Sequence, residues 1–481
     1  MKISSILIAN RGEIACRVIR ACRDLNIRSV AVYSEADRDA AFVTLADEAY
    51  EIGPASLAES YLNIDRILRV AADARVDAIH PGYGFLSENA EFARRVAQSG
   101  IIFIGPSPSS MAAMGEKVPA RDLMRQAGVP IVPGSDALAS LEEALAAAET
   151  VGYPVLLKAS AGGGGIGMRA VSGPDVLGEV WDSARTTAER AFGNGTLFLE
   201  HFVEDPRHIE IQVIGDTHGN YAYVGERECS VQRRHQKIIE ETPSPALTDA
   251  LRAEMGEAAV KAARSVGYTN AGTVEFIFSR GSFFFLEMNA RLQVEHPITE
   301  EIFGVDLVAE QIRVARGETL SFRQEDLQSR GHAIECRINA EDARKAFRPA
   351  PGKITKYREP CGPGVRVDSG ITRPSTISPY FDPMIAKLIV WGPDRPMAIE
   401  RMKRALLEYV IAGVTTNISY HLAVLDSEVF RSGTYTTRLI DEHPELIEAM
   451  DSLDVHRERF VALTRDLGHI AAVAGAVAAT T

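Results

Sequence analysis

The sequence predicts an α/β region that passes into α+β architecture, and three observations carry the prediction. From residue 3 to about 105, short apolar runs alternate with helical stretches. Between 196 and 290, strand-like runs follow one another with short links, and 331–395 gives further short strands punctuated by Pro and Gly. Strand–helix–strand alternation means a parallel sheet with crossover helices, whereas strands joined by tight links pair antiparallel.

Taken in order, residues 3–9, 29–33, 78–80 and 101–104 read as strands, and 13–24 and 64–74 as helices. Ligands of such sheets sit beyond the carboxyl ends of the strands, which places residues 10–13 and 80–85 at a site. Residues 114–150 are rich in Ala and Glu and read as helical; 153–160 is a strand and 168–171 its return strand, with a glycine run between them. Antiparallel strands are expected at 196–201, 208–215, 221–226, 272–278 and 282–289, and the link Ser279-Arg-Gly-Ser282 reads as a hairpin turn. Residues 397–426 and 436–479 read as helical.

A chain of 481 residues holds two or three domains with sizeable cores. Its 46% hydrophobic and 24% charged residues describe a soluble globular protein. A formal net charge of −13 argues against nucleic acid and anionic membranes as partners. Five cysteines without a C-x-x-C pair suit a reducing compartment and give no zinc pattern. Residues 1–10 read as a first strand rather than a signal peptide, and no apolar run approaches the roughly 20 residues that span a bilayer. A cytoplasmic protein is expected.

The most informative stretch is Phe285-Leu-Glu-Met-Asn-Ala-Arg-Leu-Gln-Val-Glu295. Glu287, Asn289, Arg291, Gln293 and Glu295 recur every second residue, so in an extended chain all five line one face. Glu275 lies on the strand before the hairpin, beside Glu287 on the same face. Opposed carboxylates destabilise each other unless a cation lies between them, and two carboxylates with Asn289 offer Mg²⁺ hard oxygen ligands. The run Ala161-Gly-Gly-Gly-Gly-Ile-Gly-Met168 contains a literal G-x-G-x-x-G, but a return strand rather than a helix follows it, which excludes a dinucleotide fingerprint. It reads instead as a loop whose bare amides approach phosphate, with Lys158 at the end of the preceding strand. No P-loop motif occurs. The basic segment Arg227-Glu-Cys-Ser-Val-Gln-Arg-Arg-His-Gln-Lys237 reads as a surface turn or, beside a magnesium-phosphate site, as a set of anion clamps.

These segments resemble one family, the biotin carboxylases, which are ATP-grasp ligases. The resemblance runs from Ile6-Leu-Ile-Ala-Asn-Arg-Gly-Glu-Ile14 to about residue 446. It passes through His80-Pro-Gly-Tyr-Gly-Phe-Leu-Ser-Glu-Asn89, His208-Ile-Glu-Ile-Gln212, Ser230-Val-Gln-Arg-Arg-His-Gln-Lys237, Ala333-Ile-Glu-Cys-Arg-Ile-Asn-Ala-Glu341 and Tyr380-Phe-Asp-Pro-Met-Ile-Ala-Lys-Leu388. It implies an ATP-grasp fold with a Rossmann-like N-terminal domain (1–113), a linker and glycine-loop lid (114–203), a core with an antiparallel C-terminal domain (204–446) and a helical extension (447–481).

By the same resemblance, Lys117, Lys158, Gly164, Gly165, Met168, Glu200, His201, Phe202, Val203, His208, Gln232 and His235 bind ATP, with Glu275 and Glu287. Glu275, Glu287 and Asn289 hold Mg²⁺ or Mn²⁺. Lys237, Arg291, Gln293 and Val294 hold bicarbonate, Glu295 deprotonates it, Arg337 meets biotin and Tyr83 borders the biotin pocket. The catalytic set is Arg291, Glu295, Lys237 and Arg337.

The implied reaction is ATP-dependent carboxylation of biotin through carboxyphosphate, the first half-reaction of an acyl-CoA or pyruvate carboxylase. Partners implied are a biotin carboxyl carrier protein and carboxyltransferase subunits, since no Ala-Met-Lys-Met attachment sequence occurs, and a homodimer. Ile166 stands where the family has a basic lid residue and His201 where it has Lys; activity is expected to be retained. The competing readings are another ATP-grasp ligase, disfavoured by the match through Arg337 and 380–388, and a catalytically silent ATP-binding protein, motivated by Ile166.

Overall fold

The first hundred residues build an all-parallel sheet of β1 (Ser5–Ile8), β2 (Arg28–Ser34), β3 (Glu48–Gly53), β4 (Ala78–His80) and β5 (Ile102–Phe103), in the order β3-β2-β1-β4-β5. The computed structural model describes residues 2–115, 117–160, 168–371 and 375–455. The expectations for Gly164, Gly165, Ile166, the side chain of Lys117 and the tail beyond 455 lie outside the described residues. Strand β3 escaped the sequence reading because it is an edge strand on which only Ile52 is buried, so it carries no apolar run.

Chain direction across this sheet reverses between β1 and β4, where a ligand crevice is expected. Asn10, after β1, donates from its amide to the carbonyls of Pro81 (2.7 Å) and Tyr83 (2.8 Å), tying the two loops together. Gly82 sits at φ +63°, and a Cβ there would lie 2.9 Å from the Asn10 amide nitrogen, so both the turn and the tie require glycine.

A small antiparallel sheet follows, β6 (Val155–Ala159), β7 (Arg169–Val171) and β8 (Leu197–His201), ordered β7-β6-β8. The helices Leu141–Val151 and Pro174–Phe192 cover it with a core around Leu157, Leu177 and Trp181. The return strand agrees with expectation. The continuous helix expected over 114–150 does not form: Pro130 and Pro133 interrupt it, and Ile131, Gly134 and Leu138 bridge to neighbouring strands instead.

The remaining strands are β9 (Arg207–Gly215), β10 (Tyr221–Arg233), β11 (Gln236–Thr242), β12 (Asn270–Ser279), β13 (Ser282–Asn289), β14 (His332–Asn339), β15 (Val365–Ser369) and β16 (Met384–Gly392). They form one eight-stranded sheet ordered β13-β12-β9-β10-β11-β14-β16-β15, all of its pairings antiparallel. Period-two alternation explains its two faces. Ile209, Ile211, Val274 and Phe276 pack against the alanine-rich helix Asp249–Ser265, while Cys336, Ile338, Ala386 and Leu388 pack against the helices Arg395–Glu408 and Ile418–Asp426. The intervening residues, Glu210, Gln212, Glu240, Glu335, Arg337 and Lys387, are polar, and most are fully buried. They share the other face with the helix His296–Phe303.

Close approach fixes part of this core. A Cβ on Gly272 would lie 2.6–2.7 Å from the ring and hydroxyl of Tyr268, which is fully buried. Gly272→Ala is expected to destabilise the protein by about 1–3 kcal/mol through overpacking, read as a lower urea midpoint at unchanged slope.

Three expectations are corrected. The strand containing Glu287 ends at Asn289, and residues 290–295 turn into the helix His296–Phe303, with Glu295 as its N-cap residue. The segment 227–237 is no surface turn: it is the end of β10 and the start of β11, reversed at Arg234 (φ 47°) and His235 (φ 65°). Residues 397–426 are two helices separated by the strand Val410–Ala412, and 436–455 holds the short helix Leu439–Glu442 and a helical stretch from 445.

Candidate active site

The hairpin turn Arg280-Gly281 has both residues at positive φ (49° and 83°) and fixes Ser279 opposite Ser282. Counting back through a one-residue bulge after Glu275, this register sets Glu275 opposite Glu287, with Asn289 opposite Thr273. Glu275, Glu287 and Asn289 therefore share one face, and all three border a cavity of about 490 Å³. Asn10, Glu13, Tyr83, His208, His235, Lys237, Arg291, Gln293, Val294 and Arg337 border it too.

Lys237 is the hub of this cavity. Its ammonium donates to Glu295 Oε1 (2.6 Å), Glu275 Oε1 (3.0 Å) and Glu210. Arg337 donates from Nη2 to Glu295 Oε2 (3.0 Å) and from Nε to Glu240 Oε1 (2.6 Å). Glu295 is thus fully buried behind two cations that face the cavity. Arg291 is held at three points: Nε donates to Glu88 (2.8 Å), Nη1 to Gln293 Oε1 (3.0 Å) and Nη2 to Asn289 Oδ1 (2.9 Å). Gln293 donates to Glu275 Oε1 (3.3 Å). The Val294 carbonyl accepts from Lys387 (2.9 Å), whose ammonium lies 3.2 Å from Glu13. Tyr83 donates its hydroxyl to Glu13.

Electrostatics follow from burial and pairing. Burial alone would raise the Glu275 carboxyl, but the charges of Lys237 and His208 hold it far below the usual carboxylate range. Glu295 is likewise held well below by Lys237, Arg337 and Arg227 against the burial penalty. Lys237 is raised well above its ordinary value, since three carboxylates outweigh its desolvation. His208 lies 3.0 Å from Glu275 and is raised by that charge in spite of burial, which pulls it down.

The structure does not bring every expected residue to this cavity. Lys158, Glu200 and His201 lie on the small sheet, with Met168 just before β7 and Phe202 and Val203 just after β8; none of the six borders the cavity. Lys158 pairs with Glu200 (2.7 Å), which also meets Arg121. Gln232, on β10, lies behind the cavity wall with its amide 3.5 Å from His208 Nδ1. Arg227, read as an anion clamp, is fully buried and donates to Glu210, Gln212, Thr273 and Thr299, so it braces the sheet instead.

Sequence reasoning missed Glu13, Glu88, Glu210, Glu240, Glu335 and Lys387. Glu210, Glu335 and Lys387 each stand between apolar residues in a strand, a signal present in His208-Ile-Glu-Ile-Gln212 and Ala333-Ile-Glu-Cys-Arg337. Glu88 carries no such signal. It precedes Asn89, whose side chain accepts from Phe92 N and caps the helix Ala90–Gln98, and that cap aims Glu88 at Arg291 and the Ala290 amide.

Among the described residues, the two acidic clusters whose ligand atoms converge are His208–Glu210–Glu275 and Glu210–Cys229–Glu295, and Lys237 already bridges the carboxylates of both. No helix among the described residues is long and apolar enough to cross a membrane.

Comparison with known proteins agrees along almost the whole chain. Residues 2–111 match the biotin carboxylase N-terminal domain, 116–323 the ATP-binding domain of the carbamoyl-phosphate synthase L chain, and 335–442 the biotin carboxylase C-terminal domain. One of the subunits of pyruvate carboxylase from Methanothermobacter thermautotrophicus is 58% identical over 93% of this chain and 91% of its own length. A biotin carboxylase from Nostoc sp. is 53% identical over 92% of this chain and 99% of its own. Among solved structures, the biotin carboxylase domain dimer of Hydrogenobacter thermophilus 2-oxoglutarate carboxylase, in complex with MgADP, ADP and bicarbonate, superposes with a TM-score of 0.89 at 49% identity. It covers 93% of this chain and 99% of that one. The chain belongs to the biotin carboxylase family of ATP-dependent ligases.

Proposed function

We propose that the cavity carboxylates biotin with bicarbonate at the expense of ATP, as the first half-reaction of a biotin-dependent carboxylase. The observation that carries this reading is the Lys237–Glu295–Arg337 cluster standing beside the Glu275/Glu287 pair in one cavity. Two carboxylates and an amide oxygen on one face form the hard-oxygen set that suits Mg²⁺ or Mn²⁺, so Glu275, Glu287 and Asn289 would hold the metal that accompanies the nucleotide. When bound, that ion neutralises charge on the transferring phosphoryl group.

Lys237, Arg291, Gln293 and the Val294 backbone hold bicarbonate. Bicarbonate is a weak nucleophile, and Glu295 takes its proton so that it can attack the γ-phosphorus and give carboxyphosphate. Held low by its cations, Glu295 stays ionised but is a weak base. An anion that draws Lys237 and Arg337 toward itself restores its basicity. Arg337 then faces the enolate that develops on biotin once its ureido proton is lost, and Tyr83 borders that pocket. Lys117, Lys158, Gly164, Gly165, Met168, Glu200, His201, Phe202, Val203, His208, Gln232 and His235 hold the nucleotide.

Glu88 tests the bicarbonate assignment from outside the cluster. It is half-exposed, so its pairing with Arg291 is worth no more than about 1 kcal/mol. Glu88→Gln is expected to raise KM for bicarbonate about threefold, with kcat and KM for ATP little changed. A change in KM for ATP alone contradicts the assignment.

The biotin is carried by a separate carrier protein, the chain acts in the cytoplasm, and it works as a dimer. The near-complete coverage of relatives named as subunits and the dimeric 2-oxoglutarate carboxylase domain support this. Labelled bicarbonate, ATP and a biotinylated carrier protein test it: label retained on the carrier is expected, and unlabelled carrier despite ATP cleavage rejects it.

A further inference from the structure

Behind Arg337, on the buried polar face of the large sheet, two carboxylates stand opposite each other. Glu240 on β11 and Glu335 on β14 are register partners, and neither is exposed. Directly opposed like charges destabilise a sheet, and a buried carboxylate without partners is costly. Glu240 Oε1 accepts from Arg337, but among the described residues Glu240 Oε2 and both oxygens of Glu335 accept no hydrogen bond.

Every cation facing the pair from the described residues is shared. Arg337 also serves Glu295, and Lys237 serves Glu210, Glu275 and Glu295. From β16, Lys387 turns its ammonium to the Val294 carbonyl, Glu13 and Asp368. Arg366, on β15, is taken by Asp368, Glu300 and Glu301. The other groups nearby bring no positive charge: Glu295 is an anion, burial keeps the Cys229 thiol protonated, and burial holds His296 neutral. Two full negative charges at Glu240 and Glu335 would therefore lack counter-charge.

We propose that Glu240 and Glu335 hold one proton between them and act as a positioning pair for Arg337. With the proton present, Arg337 faces one full anion, Glu295, and a half-neutralised pair, so much of its field is directed into the cavity. Loss of the proton adds a second full charge behind the guanidinium and draws it back toward the sheet. Burial raises Glu240 to about 7 and lifts Glu335 well above the carboxylate range, against the opposing pull of Arg337 on the first and Lys387 on the second. For an acid raised in the folded state the sign is fixed: the folded state favours the proton, and stability and positioning are lost as pH rises through the folded value. The proposal rests on Arg337 being the cation that faces biotin.

Glu335→Gln supplies the hydrogen of the protonated acid and cannot release it. Biotin-dependent turnover of the parent is expected to fall on the alkaline side, by about tenfold per pH unit once the pair deprotonates. In E335Q that fall is expected to be largely absent. Infrared spectra of the parent are expected to show a protonated carboxylic acid that E335Q lacks. Should E335Q fail to fold, Glu240→Gln carries the same two expectations. In either case the acid band of the parent is expected to vanish in step with turnover as pH rises. Superimposable pH profiles for parent and variant, or no acid band removed by either substitution, overturns the proposal. Turnover in the parent that ignores biotin would instead reject the reading of Arg337, and the infrared result is independent of it.

Discussion

Glu295→Gln is expected to lower bicarbonate-dependent phosphate release from ATP by about 10²–10⁴-fold, the range for loss of a general base. Glutamine keeps the size of the side chain and can still bond to groups around it. It cannot take a proton, and it removes one of the anions that Lys237 and Arg337 share. Both cations keep other partners, Glu210 and Glu275 for Lys237 and Glu240 for Arg337, so the fold is expected to survive. Thermal melting and nucleotide binding check that point. Turnover within tenfold of the parent would remove Glu295 from the chemistry.

Glu287→Gln is expected to raise the Mg²⁺ or Mn²⁺ concentration for half-maximal turnover by at least about 10–100-fold, since even outer-shell changes at metal sites cost that much. Glu287 is a cleaner probe than Glu275. The latter also pairs with Lys237, Gln293 and His208, so replacing it would disturb the cluster as well as the metal. Mn²⁺ titration followed by electron paramagnetic resonance gives the same comparison without turnover. Unaltered metal dependence in both experiments would mean that the opposed carboxylates serve the sheet alone.

Where local chemistry dictates local structure, the sequence was a reliable guide. Arg280-Gly281 is a two-residue turn with positive φ, and fixing it sets the register that places Glu275 opposite Glu287. The parallel sheet was legible because β1, β2 and β4 are apolar runs at βαβ spacing. The polar alternation from Glu287 to Glu295 misled in one respect. It continues past Asn289 although the strand does not, because Glu88 takes the Ala290 amide and the chain turns into a helix. The five side chains still converge, but through a turn rather than a pleat.

The segment 227–237 failed for a different reason. Its charges suggested solvent, whereas Arg227 is buried against Glu210, and Lys237 is balanced by Glu210, Glu275 and Glu295, the last of them 58 residues away along the chain. No local pattern reveals such partners. The same holds for Glu240 and Glu335, which strand register alone sets opposite each other, and for Glu88, which reaches Arg291 across 203 residues.

The most direct measurement is phosphate release from MgATP by the purified chain, with and without bicarbonate and free biotin. Release that requires bicarbonate and rises on adding biotin is the predicted result. Cleavage indifferent to both, or no cleavage at any metal concentration, would contradict the assignment of this cavity to biotin carboxylation.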